Sequence, residues 1–179
     1  MKKNSKLIVT IIIAVVLFVG TIVLYNVLSN DYKADNMSDG GGSGVTAPDF
    51  IAENENESDV AFSSYFGKPI VLNLWASWCS PCKEEMPYFE QAYKDNSDIR
   101  FLMVNMTTGD SKSDAKAFIS DNGYTFPVLY DIYGEAAVAY EAQSLPMTFF
   151  IDKNGELVTY AVGSLSEQQL QEGIDLIKE

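Results

Sequence analysis

The residues whose types and spacing could do chemistry lie in one stretch, Trp75-Ala76-Ser77-Trp78-Cys79-Ser80-Pro81-Cys82-Lys83-Glu84-Glu85. Cys79 and Cys82 are the only cysteines of the 179-residue chain, and two residues separate them. A Cys-x-x-Cys pair that a strand delivers to the start of a helix reads as a redox-active dithiol. Backbone N–H groups and the helix dipole stabilise a thiolate there. Pro81 suits a helix start, where its missing N–H is not needed. Cys79 is therefore expected to be the exposed nucleophile and Cys82, one turn into the helix, the shielded resolving thiol. Other uses of the pair are poorly supported. A tetrahedral zinc site usually wants four Cys or His ligands, and the chain has no histidine. A structural disulfide closing so short a loop would stabilise little.

The flanking elements must hold that pair in place. The nearly continuous apolar run Ile70 to Trp75 suits a central strand. A helix is expected from about Pro81 to Asn96, with Met86, Phe89, Ala92 and Tyr93 recurring at intervals of three and four and Pro87 as a kink. Ile99 to Met106 reads as a second buried strand. Ser111 and Asp114 resemble a capping pattern for a helix reaching about Asp121, with Gly123 just past its end. Tyr124 to Tyr130 is expected as a short strand and Glu135 to Glu141 as a short helix. Met147 to Ile151 and Leu157 to Val162 are strands joined by the turn Asp152-Lys153-Asn154-Gly155. The last helix starts at Ser166, where Ser166 with Gln169 forms a capping-box pattern and Leu165 with Leu170 a hydrophobic staple. Nearer the start, Asn54 to Asp59 reads as a hairpin turn. The alternation implies an α/β sandwich with a βαβ unit first and an antiparallel hairpin plus helix last.

The chain carries 25 acids against 12 bases, a net charge of -13. That balance disfavours binding nucleic acid through a basic patch. Leu7 to Leu28 holds 22 residues without a charge, a helix of about 33 Å against a bilayer core of roughly 30 Å. Lys2, Lys3 and Lys6 precede it, and every acid lies beyond residue 30. The positive-inside rule then leaves residues 1–6 in the cytoplasm, makes 7–28 a single transmembrane signal anchor and exports the rest. A cleaved signal peptide is the alternative, but the run is longer than such an apolar region and no convincing cleavage site follows. Residues 29–46, with Gly40-Gly41-Gly42-Ser43-Gly44, read as a flexible linker. Residues 47–179 are left as an extracytoplasmic folded domain.

Trp78-Cys79-Ser80-Pro81-Cys82 resembles the active site of thioredoxin-like proteins, and Leu145-Pro146-Met147-Thr148 resembles their cis-proline loop. Four further details are similar to the membrane-anchored TlpA/ResA-like thiol-disulfide oxidoreductases. They are Ala47-Pro48-Asp49-Phe50, Gly67-Lys68-Pro69, Glu85 three residues after Cys82, and Phe126-Pro127-Val128-Leu129 with Asp131. The resemblance covers Ala47 to the C-terminus. It implies a thioredoxin-like three-layer α/β sandwich with a central mixed sheet flanked by helices, here preceded by one transmembrane helix. It also implies Cys79 and Cys82 as the catalytic thiols, with no cofactor and no metal. A cis Pro146 would place the Leu145 backbone opposite Cys79, where it could pair with an extended client segment. Trp78, Ser80, Pro81, Leu145 and Pro146 are then the client-binding residues, while Trp75 is structural. The buried acid of cytosolic thioredoxin aligns with Asn73, which cannot titrate. Glu85 is the expected replacement and Glu84 the weaker candidate; both could instead merely complement the helix dipole.

The same resemblance implies a reductase that acts as a monomer. It would be recharged by a membrane electron carrier of the CcdA/DsbD type and would act on client protein disulfides such as apocytochrome c or a repair reductase. A disulfide-forming oxidant is the main alternative, although strong oxidants of the DsbA kind carry a His between the cysteines and a large helical insertion. A peroxiredoxin-like peroxidase would use a Thr-x-x-Cys site with a supporting Arg, and the chain's one Arg is Arg100. A copper metallochaperone of this fold would use a wider Cys spacing and a His.

Overall fold

The computed structural model describes residues 12–24, 37–39 and 44–178. They fall into two units, Met1–Asp35 and Asn36–Glu179. In the first, residues 12–24 form helix α1. Among the described residues no helix is long and apolar enough to cross a membrane. The expected span 7–28 runs beyond the described residues at both ends, and the expected cytoplasmic residues 1–6 lie outside them.

The second unit is built on one eight-stranded sheet of order β1-β8-β7-β4-β5-β6-β2-β3. The strands are β1 Met37–Asp39, β2 Ile51–Glu53, β3 Asp59–Ala61, β4 Ile70–Trp75, β5 Arg100–Asn105, β6 Val128–Tyr130, β7 Met147–Ile151 and β8 Leu157–Val162. The helices are α2 Ser80–Asp95, α3 Lys112–Asn122, α4 Glu135–Ala139 and α5 Glu167–Lys178. A 3-10 turn occupies Phe62–Tyr65. Strand β4 is central and wholly buried, parallel to β5 and antiparallel to β7.

Alternation along the strands sorts side chains into two layers. Val71 and Trp75 of β4 join Phe101 and Met103 of β5 and Phe150 of β7 on the face covered by Met86 and Phe89 of α2, Ala115 of α3 and Leu170 and Ile174 of α5. Ile70, Leu72 and Leu74 face the other way, with Phe50, Phe62, Ala136 and Tyr140. Asn73 has the parity of Val71 and Trp75 and so points at α2. A slip of β4 by one residue would reverse every one of these choices. Each misplaced large apolar side chain would cost roughly 1.5–3 kcal/mol, so the register is strongly held.

The local signals mostly hold. Ser111 Oγ accepts from the Asp114 N–H at 3.3 Å, and Gly123 ends α3 in the left-handed region at φ 68°. Gln169 Oε1 accepts from the Ser166 N–H at 3.0 Å, which completes the capping box. Pro87 lies inside α2, which continues to Asp95.

Two expectations are corrected. The strand expected over 124–130 is confined to Val128–Tyr130. Tyr124 and Phe126 stack on each other instead, at 5.3 Å between ring centroids, and Pro127 has no N–H for the ladder. The linker expected over 29–46 contains strand β1, which pairs with β8 at Met37↔Ala161. Thr46 also bridges Glu156, and the Val45 carbonyl accepts from the Leu157 N–H at 2.8 Å. An exposed β8 edge offers unpaired backbone groups that even a polar segment can satisfy. Residues 40–43 lie outside the described residues.

Candidate active site

Strand β4 ends at Trp75, and the Cys79 N–H donates to the Ala76 carbonyl at 3.1 Å. That turn makes Cys79 the N-cap of α2, with extended backbone at φ -80°, ψ 105°. Its Sγ accepts from the Cys82 N–H at 3.2 Å. The sulfur therefore takes the place of a capping oxygen, and a thiolate there gains a charge-assisted hydrogen bond. Pro81 sits in the first turn. The two cysteines are joined as a disulfide.

The exposed-nucleophile expectation is corrected. Cys79 is 4% exposed and Cys82 is fully buried. The bond ties Cys79 Sγ down to Cys82, which belongs to the apolar layer of Val71, Met86 and Phe89. What stands in solvent is the flanking surface, with Trp78 61% exposed and Ser80 and Pro81 also exposed.

Glu85 lies three residues after Cys82, on the same helical face, and is buried. Its Oε1 accepts from Asn73 Nδ2 at 2.9 Å and its Oε2 from the Leu165 N–H at 2.8 Å. Asn73 Nδ2 also donates to Thr148 Oγ1 at 3.0 Å. Burial pushes the Glu85 carboxyl from 4.5 up to about 7, against the opposing pull of the Leu165 and Asn73 hydrogen bonds. Glu84 is exposed.

The Leu145–Pro146 peptide is cis. The pairing Leu74↔Met147 brings the start of β7 to the end of β4, so Pro146 and the Cys-x-x-Cys turn share one edge of the sheet. Pro146 is buried, its carbonyl accepts from the Gly163 N–H at 2.9 Å, and Leu145 is half-buried. Trp75 is fully buried beside Phe118, as a packing residue should be.

The loop after β5 went unread in the sequence. Asp110 Oδ2 accepts from the Ser77 N–H at 2.6 Å and from Asn105 Nδ2 at 2.8 Å. Its Oδ1 accepts from Ser77 Oγ at 2.6 Å and from the Ser111 N–H at 2.8 Å. Trp78 Nε1 donates to the Gly109 carbonyl at 2.9 Å. Burial raises the Asp110 carboxyl, but the bonds from Ser77, Asn105 and Ser111 outweigh it and hold the group below its ordinary value. Thr148 and Leu165 were likewise missed as partners of the Glu85 site. Ser111 as a cap was the one local signal near that loop.

A Cys-x-x-Cys pair capping the helix after a central strand, beside a cis X–Pro bond that opens the antiparallel neighbour, defines a thioredoxin-like thiol-disulfide oxidoreductase. The model of the AhpC/TSA family matches residues 43–160. The chain is 32% identical to the thiol-disulfide oxidoreductase ResA of Geobacillus kaustophilus over 99% of both chains. It is 34% identical to ResA of Bacillus subtilis over 75% of each. Among solved structures, a putative thiol:disulfide interchange protein DsbE from Chlorobium tepidum superposes with a TM-score of 0.67 at 28% identity, covering 74% of this chain and 95% of that one. The chain belongs to the AhpC/TSA family and, within it, to the ResA-like thiol-disulfide oxidoreductases of thioredoxin fold.

Proposed function

We propose that this oxidoreductase is an extracytoplasmic reductase of client disulfides. It is held at the cell membrane by a single pass over residues 7–28, works as a monomer and is recharged by a CcdA/DsbD-type membrane carrier. Apocytochrome c or a repair reductase is the proposed client. The observation that carries the chemistry is Cys79 Sγ receiving the Cys82 N–H at the start of α2, with Glu85 buried one turn behind. The full-length likeness to ResA supports the membrane-anchored reading. For the direction of electron flow, Ser80-Pro81 between the cysteines and short α3 and α4 supply neither mark of a strong oxidant.

In the reduced enzyme the Cys79 thiolate attacks one sulfur of a client disulfide. A Cys79–client bond forms, and the other client sulfur leaves as a thiolate that takes a proton. Glu85 accepts the Cys82 proton, and a carboxyl poised at about 7 suits that task. Cys82 then attacks Cys79 Sγ, which restores the Cys79–Cys82 bond and releases the second client thiol. Two electrons have passed to the client, and the carrier's dithiol returns them. Trp78, Ser80, Pro81 and the half-buried Leu145 form the surface on which the client docks, and the buried Pro146 beneath it sets the Leu145 backbone through its cis bond.

Arg100 is poorly placed to support a peroxidatic Cys79. It pairs with Ile70 at the far end of the β4–β5 ladder from Trp75, roughly 16 Å along the strand.

The Cys79–Cys82 reduction potential tests the direction. A value near thioredoxin's, about -270 mV, is expected, and one near -120 mV overturns the reductase reading. In the same preparation Cys82→Ser should trap clients as mixed disulfides on Cys79. Trapping by Cys79→Ser alone would reverse the thiol roles.

A further inference from the structure

We propose that Asp110 is the positioning residue that holds Trp78 rigid as the docking surface for protein disulfides beside Cys79. This deepens the functional reading above and rests on Cys79 as the attacking thiol.

A tryptophan that is 61% exposed is an unusual surface feature, because so large an apolar ring gains most from burial. Here the ring is exposed but not left loose. Its one polar atom, Nε1, is tied to the Gly109 carbonyl at 2.9 Å. An anchored ring presents an apolar face with little rotamer entropy left to lose on binding.

Gly109 holds that position only if its loop does, and Asp110 fixes the loop. The carboxylate joins three segments of the chain. Ser77 lies in the turn before the cysteines, Asn105 ends β5, and Ser111 caps α3. Each oxygen receives two donors, so the carboxylate is saturated. Within the loop the Gly109 N–H donates to the Met106 carbonyl at 3.0 Å, and Thr107 Oγ1 donates to Asn105 Oδ1 at 3.0 Å. Asp110 and Gly109 thus grip the adjacent residues Ser77 and Trp78, immediately before Cys79.

The geometry makes Asp110→Asn a sharp probe. Oδ2 faces the Ser77 N–H and Oδ1 faces the Ser111 N–H. Whichever oxygen becomes an NH2 group, it meets a backbone donor, so neither amide orientation can satisfy the site. Ser77→Ala removes only the hydroxyl bond and leaves both backbone bonds in place.

The test uses the full-length chain with two substrates, insulin as a protein disulfide and a small aromatic disulfide that needs no docking surface. For Asp110→Asn, kcat/KM on insulin should fall about tenfold to a hundredfold, mainly through KM, as expected for a misplaced positioning contact. The rate on the small disulfide should stay within about twofold. Fluorescence anisotropy of Trp78, with Trp75→Phe in both backgrounds, should drop as the ring loosens. Ser77→Ala should give a smaller loss that does not add to that of Asp110→Asn. Unchanged insulin kinetics would overturn the proposal. So would equal losses on both substrates that track a lower melting temperature, since Asp110 would then serve folding alone. A Cys79→Ser control that still reduces insulin would instead remove the functional reading beneath it.

Discussion

Replacing Glu85 by Gln should change how stability depends on pH. Glu85 is 1% exposed, and burial lifts its carboxyl from 4.5 to about 7. The folded state therefore holds a proton that the unfolded chain has already released between those two values. Stability must fall as pH rises through that window, because the native state is the one that binds the proton. At about 1.4 kcal/mol per pH unit, the native protein gives up roughly 3 kcal/mol once Glu85 is ionised. Below the lower value both states are protonated and nothing is lost. The glutamine of Glu85→Gln cannot titrate. Its Oε1 can keep the Leu165 N–H, and its amide can donate to Asn73 Oδ1, which has no hydrogen-bond partner among the described residues, after the Asn73 amide turns over. Urea unfolding of the oxidised protein and of Glu85→Gln, from about pH 4 to about pH 8.5, isolates this group from all others. The variant should gain about 3 kcal/mol on wild type across that range. The same substitution should slow closure of the Cys79–Cys82 bond by about 10²-fold at neutral pH, the usual scale of a lost general base. Parallel stability curves would mean that Glu85 is not proton-loaded near neutrality. Unchanged closure would assign it to helix packing alone.

Gly173 and the membrane span supply two further predictions. A Cβ at Gly173 would run into the ring of Phe150, which is fully buried in β7. Gly173→Ala should destabilise by about 2 kcal/mol despite the better helix propensity of Ala; a raised urea midpoint would show that α5 can move off the sheet. Protease added to intact cells should release the domain that follows residues 7–28, whereas protection with the cytoplasm sealed would refute the proposed topology.

Much of the fold was legible because its determinants are local. The apolar run at Ile70–Trp75, the Asn154-Gly155 turn and the Ser111 and Ser166 caps each involve residues a few positions apart. So does the chemistry of Cys79 and Cys82, since a pair at that spacing before a helix carries its own capping geometry. The cis bond at Pro146 was expected from a family resemblance, because X–Pro intrinsically favours trans.

The tertiary structure decided the surroundings of the thiols. Glu85 was a candidate from its position in the chain. Its proton affinity depends on burial and on Asn73, Thr148 and Leu165, which only strand parity and sheet order bring to α2. Asp110 reaches Ser77 across 33 residues because β4 and β5 run parallel and end at the same edge. Cys79 was misjudged as exposed because its accessibility depends on the bond that ties it to Cys82 in the buried apolar layer. Spacing along the chain settles which groups can meet within one helix or turn. The order in which strands assemble settles which distant groups share a site, and no local periodicity records that order.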